Sequence, residues 1–140
     1  MLEYSAEVDI AAPASRVWDI LTDASGYTQW DNGVERVDGE IADGHKITVH
    51  SEVSPGRAFP VRVGDWQPAS GMSWNGGMPL GLFKGVRRFS LTEDTSGTRF
   101  RMHEAFSGPL LPLISRSMPD LQPSFDRFAA GLKAAAERGR

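Results

Sequence analysis

A glutamate occupies position 104, where the pattern of the surrounding residues predicts an apolar side chain. In the stretch FRMHEAF, residues 100 to 106, Phe100, Met102 and Phe106 alternate with polar residues as they would in a half-buried strand. Glu104 takes the remaining place in that register and should therefore face the core. A carboxylate at such a position has three interpretations: a catalytic group, an anchor for a ligand, or half of a structural ion pair.

Arg87 is the predicted partner of Glu104. If residues 83–93 and 98–107 form a hairpin around residues 94–97, Arg87 lies directly opposite Glu104 on the apolar face. A shift of one residue would turn the apolar set to water, whereas a shift of two stays open and would separate the pair.

The residue types favour a structural ion pair in the wall of a cavity. A guanidinium matches a carboxylate as a two-pronged fork and keeps its charge when buried. The second interpretation is a polar anchor for a ligand in an otherwise apolar pocket. A general base must take up a proton, and a neighbouring arginine favours the charged carboxylate instead, so catalysis by Glu104 alone is the weakest interpretation.

Asp65 and His45 are two further candidates for proton transfer. A hairpin across residues 68–71 would place Asp65 opposite Trp74, facing inward if Val61 and Val63 do. The favoured alternative for Asp65 is a solvated position near the end of its strand. His45 could reach the mouth of a cavity.

The histidine spacing predicts no metal site. His45 and His50 are five positions apart on one predicted strand and therefore point to opposite faces, and His103 lies on the polar face of its strand. No pair has the spacing of metal ligands, and the chain has no cysteine, so we predict neither a metal nor a cofactor.

The elements that would position these residues are one strand, two short helices, a run of strands and a long helix. Turn residues such as Asp43-Gly44 and Pro55-Gly56 separate the strands of the run, which indicates an antiparallel meander. The predicted strands are 4–10, 34–41, 45–53, 59–66, 72–75, 83–93 and 98–107, and the predicted helices are 13–22, a short one holding Tyr27 and Trp30, 110–117, and a long C-terminal one with Leu121, Phe125, Phe128 and Leu132 on one face.

The glycine-rich run GGMPLGLFKG, residues 76 to 85, predicts a loop at the rim of a cavity. It lacks the Gly-Lys-Ser/Thr ending of a phosphate-binding loop. Its Met78, Leu80 and Leu82 could gate access to a cavity, and ordinary loop packing is the alternative interpretation.

Length and charge exclude several classes of protein. The 140 residues correspond to one domain, 1–140, long enough to bury a core without disulfides. The net charge of -3 and the absence of a basic face argue against binding to nucleic acid. The first residues lack the basic and apolar regions of a signal peptide, and no apolar run is long enough to cross a bilayer, so a cytoplasmic protein is expected.

The chain resembles the Bet v 1/START-like superfamily, and within it the bacterial polyketide cyclase/dehydrase-like group called SRPBCC. The resemblance covers essentially the whole chain and rests on the order and spacing of individually weak motifs. These are IAAPASRVWDIL at residues 10 to 21, the spacing of Asp23, Tyr27 and Trp30, Gly39 with Gly44, Trp74 with Gly76, Gly97-Thr98, Glu104 with Gly108, and the F-x-x-F-x-x-x-L-K pattern of residues 125 to 133.

The resemblance implies an α+β helix-grip fold, with a seven-stranded antiparallel sheet wrapped around the long C-terminal helix and a cavity between them. It also implies an apolar ligand, aromatic, polyketide-like or lipid-like. The residues expected to contact it are Tyr27, Trp30, Trp74, Phe83, Arg87, Phe89, Met102, Glu104, Phe106, Phe125 and Phe128.

Binding of that ligand is the function that we predict. The alternatives are a cyclase or dehydratase using Arg87, Glu104, Asp65 or His45, and a protein-interaction module whose cavity is vestigial. Fold-level resemblance cannot choose among them, because the superfamily shares a fold and not one catalytic motif. A homodimer is also compatible with the sequence.

Overall fold

One curved antiparallel sheet wraps around a C-terminal helix in a computed structural model that describes residues 1–138. The strands follow the order β1-β7-β6-β5-β4-β3-β2 in the sheet, so β2 to β7 form a meander and β1 joins it beside β7. This arrangement confirms the predicted α+β helix-grip fold. The strands are β1 (Leu2–Ile10), β2 (Val34–Asp38), β3 (Lys46–Ser51), β4 (Ala58–Gln67), β5 (Gly71–Gly77), β6 (Lys84–Asp94) and β7 (Gly97–Ser107).

Three α-helices and two short 3-10 helices complete the described part of the chain, residues 1–138. The α-helices are α1 (Ala14–Leu21), α2 (Leu111–Ser115) and α3 (Gln122–Glu137), and the 3-10 helices are Ser25–Gln29 and Pro79–Gly81. No helix among residues 1–138 is long and apolar enough to span a membrane.

The core lies between the inner face of the sheet and α3. Because side chains point to alternate faces along β7, Phe100, Met102 and Phe106 point inward, and all three are buried. On α3, Phe125, Phe128 and Leu132 recur at helical spacing and are almost fully buried. Each such side chain contributes about 1.5–3 kcal/mol when it leaves water, so this interface supplies much of the stability of the fold.

The helix α1 holds the C-terminal end of α3. Its Arg16 side chain donates from Nε to the Ala136 carbonyl at 2.6 Å and from Nη2 to the Arg138 carbonyl at 3.0 Å. Those carbonyls have no partner within the helix, and a cation also suits the negative end of the helix dipole. The helix α1 itself starts one residue later than predicted, at Ala14, because Pro13 stays extended and takes the N-cap position.

The long helix begins at Gln122, and Leu121 takes the cap position. Asp120 accepts a hydrogen bond from the Gln122 N–H at 3.1 Å. Pro123 lies in the first turn, where the missing N–H costs little.

The predicted register of β4 with β5 is wrong. Val63, not Asp65, lies opposite Trp74, because the pairing shifts between Gly64 and Gln67. Asp65 lies inside this bulge with a φ of 47°, a left-handed conformation that a regular strand does not contain. The bulge breaks the alternation that the prediction assumed.

Candidate functional site

A row of inward-facing side chains crosses the sheet near one end of the strands. The strand register sets Val63 opposite Trp74, Trp74 opposite Arg87, Arg87 opposite Glu104, and Glu104 opposite Tyr4. Directly opposed side chains in neighbouring strands have Cβ atoms about 4.5–5.5 Å apart and interact. The row therefore places one charged pair between two aromatic residues on the apolar face.

Arg87 and Glu104 form the predicted ion pair. Nε of Arg87 lies 2.8 Å from Oε1 of Glu104, and Nη2 lies 2.7 Å from the same oxygen. The side chains retain only 22% and 13% of their accessible surface, respectively. Within the part of the chain that the structure describes, Nη1 of Arg87 and Oε2 of Glu104 make no hydrogen bond. The pair therefore keeps one donor group and one acceptor atom available.

The helix α3 covers the ion pair with an aromatic ring. The guanidinium carbon of Arg87 lies 4.8 Å from the centroid of the Phe125 ring, a distance typical of a cation–π contact. The Tyr4 ring packs against the other side of Phe125 at 5.7 Å between centroids. Glu104 therefore contacts Arg87 from the neighbouring strand, and Phe125 contacts it from α3.

Tyr27 contributes a buried phenol to the same region. Its hydroxyl donates to the Leu21 carbonyl at 2.7 Å. Burial raises the pKa of Tyr27 well above its ordinary value, and the charge of Arg87 opposes part of that rise. The phenol therefore stays neutral at physiological pH and serves as a hydrogen-bond donor that fixes the ring.

Two buried indole groups lack a hydrogen-bond partner. Nε1 of Trp30 and Nε1 of Trp74 are inaccessible to solvent, and neither donates to any of residues 1–138. The two rings flank Tyr27, with centroids 5.2 Å and 6.2 Å from it. A buried donor without an acceptor costs about 1–3 kcal/mol, so these two groups mark a place where an acceptor would stabilise the protein.

Aromatic rings fill the space between the sheet and α3. Phe128 is central: its ring lies 5.1 Å from Trp30, 5.9 Å from Phe89 and 6.2 Å from Phe100, and Phe89 lies 4.9 Å from Trp74. These are the ordinary distances of edge-to-face and offset pairs. Of the residues predicted to contact a ligand, Tyr27, Trp30, Trp74, Phe89, Met102, Phe106, Phe125 and Phe128 are buried, and Phe83, Arg87 and Glu104 are half-buried.

Two stacked rings lie next to the ion pair. Phe83, the residue before β6, stacks on Phe106 near the end of β7 at 5.8 Å between centroids. Gly85 lies opposite Phe106, and a Cβ at residue 85 would come within 3.1 Å of that ring. The missing side chain of Gly85 therefore lets the Phe106 ring lie flat against the sheet.

Two surface clefts lie away from the row. One, of about 300 Å³, is formed by α1, the following 3-10 helix and the end of α3, and Trp30 is the only predicted ligand contact that lines it. The other, of about 220 Å³, lies between residues 11–13 and the turn at 93–97. Neither cleft contains Arg87 or Glu104.

Asp65 and His45 do not join the site. Asp65 lies on the outer face, where it accepts hydrogen bonds from the Ser73 hydroxyl at 2.7 Å and from Arg88 at 3.1 Å. These two bonds lower the pKa of Asp65. His45 is exposed in the turn between β2 and β3. The structure therefore separates both from the ion pair.

The other two histidines, His50 and His103, also lie on the outer face of the sheet. His50 pairs with Asp38 at 2.9 Å, and His103 pairs with Glu3 at 2.9 Å. Residues 1–138 contain no group of three or more side chains that could hold a metal ion.

Sequence reasoning missed two features of the site. Tyr4 joins the row through the pairing of β1 with β7, and the alternation of β1 already indicated that it faces inward. The unpartnered indole groups of Trp30 and Trp74 had no signal in the sequence, because the lack of an acceptor depends on the three-dimensional surroundings.

Comparison with known proteins gives a family match. Residues 1–137 match the model of a family described as polyketide cyclase / dehydrase and lipid transport. No curated protein matches the chain.

Solved structures share the fold at low sequence identity. Protein MLL2253 from Mesorhizobium loti is 19% identical with a TM-score of 0.74, and the match covers 99% of each chain. The hypothetical protein jhp0584 from Helicobacter pylori is 15% identical with a TM-score of 0.78, over 97% of this chain and 88% of that one. The Aha1 dimer from Colwellia psychrerythraea is 18% identical with a TM-score of 0.75, over 100% of this chain and 99% of that one.

Proposed function

Because the chain belongs to the polyketide cyclase / dehydrase and lipid transport family, we propose that it binds an apolar small molecule between the sheet and α3. The ligand has an aromatic, polyketide-like or isoprenoid-like body and at least one oxygen. Its oxygen interacts with Arg87 and Glu104, and its body lies among the aromatic side chains of the core.

The observation that carries this proposal is the half-satisfied ion pair on an apolar face. Removing a charged pair from water costs several kcal/mol, and a purely structural pair compensates best when every donor and acceptor is engaged. Here both short contacts go to Oε1, and Nη1 and Oε2 have no partner among residues 1–138. A few polar groups in an apolar interior are what small-molecule sites present.

The unpartnered indole groups support the same proposal. Trp74 lies beside Arg87 in the strand register, and its Nε1 can only donate. A ligand oxygen that accepts from Trp74 or Trp30 would remove the cost of leaving the donor unpaired. The preferred ligand is therefore an acceptor, such as a ketone, and not a pure hydrocarbon.

Binding requires rings to move, because aromatic side chains occupy the space between the sheet and α3. We expect Phe83 and Phe106 to move, since they stack next to the ion pair and Phe83 is only half-buried. An apolar ligand body that replaces them would bury a similar apolar surface, so the exchange costs little in hydrophobic energy.

The enzymatic alternative reduces to the same two residues. A cyclase or dehydratase needs a base and a group that stabilises an oxyanion. Asp65 and His45 lie away from the interior, which leaves Oε2 of Glu104 as the base and Arg87 as the stabilising cation. Turnover that survives both Arg87→Met and Glu104→Gln would exclude this alternative.

A thermal-shift series on the full chain tests binding. We would compare aromatic ketones, naphthols, a fatty acid and a sterol in the wild type, in Arg87→Met and in Arg88→Met. Arg88 is the matched control, because it is the next residue on β6 but points outward toward Asp65. A ligand present at 100 times its Kd stabilises the native state by about 2.7 kcal/mol.

We expect an oxygenated aromatic ligand to raise the melting temperature of the wild type and of Arg88→Met, and to have a much smaller effect on Arg87→Met. The proposal is wrong if no compound in the panel raises the melting temperature. It is also wrong if both arginine variants respond alike, since the anchor would then not involve Arg87.

A further inference from the structure

The large apolar side chains that are exposed within residues 1–138 lie at one edge of the molecule. From this distribution we propose that this edge docks on an anionic lipid bilayer. We call it the apolar edge and define it by Val53, Phe59, Met78, Leu80, Leu82 and Leu113; Met1, the one other large apolar residue that is exposed, lies beside it next to Leu2.

The sheet topology explains why these residues meet. Strands β3, β5 and β7 end at this edge, and β4 and β6 begin there. The apolar residues come from the β3–β4 connection with the start of β4 (residues 52–59), from the β5–β6 connection (residues 77–84) and from the segment after β7 (residues 108–118). Three segments far apart in sequence therefore form one surface.

Backbone contacts join the segments. The Leu110 N–H donates to the Leu82 carbonyl at 2.9 Å, which ties the segment after β7 to the connection between β5 and β6. Gly76 at the end of β5 packs against Val61 of β4, so Met78 follows on beside Phe59. The exposed side chains thus come from neighbouring segments at one end of the sheet, and not from isolated positions of the kind that every surface carries.

Leu80 is the most unfavourable of these residues in water. Its side chain is 96% exposed, and its backbone has a φ of 61°, in the left-handed region that disfavours a branched side chain. An exposed leucine in this conformation contributes nothing to the stability of the free chain. A bilayer interior would bury it.

The charges around the patch match an anionic surface. Glu52, the one acidic residue in these segments, is paired with Arg127 at 3.0 Å, and each segment carries one basic residue: Arg57, Lys84 and Arg116. All three are exposed and form no ion pair within the described chain. Basic side chains next to apolar ones are suited to a membrane interface, where the apolar groups enter the lipid and the cations contact the headgroups.

The nearest carboxylates do not cancel this pattern. Glu35 lies on the edge strand β2, outside the three segments, and Asp120 already accepts a hydrogen bond from the Gln122 N–H. At the opposite edge of the sheet, the three exposed carboxylates Glu40, Asp43 and Asp94 outnumber the two cations Lys46 and Arg62. An anionic bilayer would therefore orient the chain with its apolar edge toward the lipid.

A second copy of the chain fits this surface less well. In a two-fold dimer the same patch meets itself, so the cations of one copy approach the cations of the other. That repulsion opposes pairing, whereas phosphate headgroups attract the same three residues.

Docking does not depend on whether the interior holds a ligand, because it rests on the surface alone. Ligand binding is measured without vesicles, and docking is measured without ligand. Either can therefore fail while the other succeeds.

Co-flotation of the full chain with vesicles tests the proposal. The vesicles are phosphatidylcholine alone or a mixture of phosphatidylcholine and phosphatidylglycerol. The variants are Leu80→Gly, Lys84→Gln and, as the charge-matched control at the opposite edge, Lys46→Gln. Leu80→Gly should fold normally, because residue 80 is exposed and glycine adopts a φ of 61° without strain.

We expect the wild type to float with the phosphatidylglycerol vesicles and far less with phosphatidylcholine alone. Leu80→Gly should lower the partition coefficient roughly tenfold without lowering the melting temperature, since a buried leucine contributes about that factor. Lys84→Gln should lower it about fivefold, and Lys46→Gln should leave it unchanged.

Three results would overturn docking on a bilayer. One is a wild type that stays unbound with phosphatidylglycerol vesicles. A second is binding that Lys46→Gln weakens as much as Lys84→Gln does, which indicates a diffuse charge effect. The third is a lipid-free dimer that Leu80→Gly converts to a monomer, which assigns the apolar edge to a second copy.

Discussion

Arg87 directs two nitrogen atoms at a single oxygen of Glu104. Nε and Nη2 lie 2.8 Å and 2.7 Å from Oε1, while Oε2 has no hydrogen-bond partner among residues 1–138. A fork-to-fork pair would engage both carboxylate oxygens. The observed geometry holds the two side chains together and still leaves Oε2 and Nη1 able to bind a third group.

Replacing Glu104 with alanine should destabilise the chain strongly. Breaking a buried pair strands the other charge and costs about 3–5 kcal/mol, and the residual exposure of this pair favours the lower end of that range, about 3 kcal/mol. Urea unfolding at neutral pH measures the difference. The control is Glu7→Ala, which removes an exposed pair with Arg101 on the outer face and should leave the unfolding midpoint nearly unchanged. Equal midpoints for Glu104→Ala and the wild type would show that Glu104 is solvated.

Trp74→Phe should weaken the preference for a ketone over the matching hydrocarbon. We compare fluorenone with fluorene by calorimetric titration. In the wild type we expect fluorenone to bind about tenfold more tightly, because its oxygen accepts from Arg87 and from an indole group that otherwise lacks an acceptor. In Trp74→Phe the ratio of the two affinities should fall but stay above one, because Arg87 still donates to the oxygen.

Trp18→Phe is the control for this comparison. Trp18 packs on Trp66 at 5.0 Å and is not among the indoles without a partner. Comparing two ligands within one variant cancels any loss of stability that the substitution causes. A wild type that binds both compounds equally would show that the Trp74 indole does not contact the ligand oxygen.

Asp65→Asn should change the acid sensitivity of the fold. Hydrogen bonds from Ser73 and then Arg88 hold the pKa of Asp65 below its ordinary value of 3.8. Since the folded-state pKa is the lower one, the ionised carboxylate stabilises the fold above the unfolded pKa, and this contribution disappears as the pH falls through the folded pKa. The variant should be less stable than the wild type at neutral pH, and the two should converge once the pH falls below the lowered pKa of Asp65.

Urea unfolding across this pH range makes the measurement. Asparagine keeps the shape of the side chain and tolerates the left-handed backbone at residue 65, so the comparison isolates the charge. Glu40→Gln is the control, because Glu40 is exposed and makes no hydrogen bond or ion pair within residues 1–138. A difference between Asp65→Asn and the wild type that persists unchanged at low pH would contradict the assignment.

The Arg87–Glu104 contact could be predicted from the sequence because its hairpin is regular. β6 and β7 pair over eleven residues without a bulge, from Lys84 opposite Ser107 to Asp94 opposite Gly97. Strict alternation then leaves few registers that bury the apolar set. The same reasoning failed for β4 and β5, because the bulge at Asp65 shifts the register. The local pattern of apolar and polar residues does not indicate this bulge.

Other features depend on contacts that no local pattern encodes. Aromatic residues at inward positions predict an apolar interior, but whether they line a cavity or fill it depends on how Phe128 and Phe89 meet across the sheet and α3. Likewise, the exposure of Leu80 and Leu113 depends on how the 3-10 helix before β6 and the helix α2 pack in the fold. The sequence predicted Leu80 as part of a rim, but not that it shares a surface with Leu113.

Gly131→Ala should destabilise the chain although helix propensity favours alanine. In the interior of a helix, alanine is better than glycine by about 1 kcal/mol. Gly131, however, lies in α3 directly against the backbone carbonyl of Asp31, and a Cβ would overlap that oxygen. Neither backbone can yield without moving α3, and with it Phe128, away from Trp30, so the overlap should outweigh the propensity and cost about 3 kcal/mol or more. The control is Ala130→Gly at the exposed neighbouring position, which should cost only about 1 kcal/mol. Thermal unfolding of both variants makes the comparison, and a Gly131→Ala variant as stable as the wild type would show that α3 does not rest on Asp31.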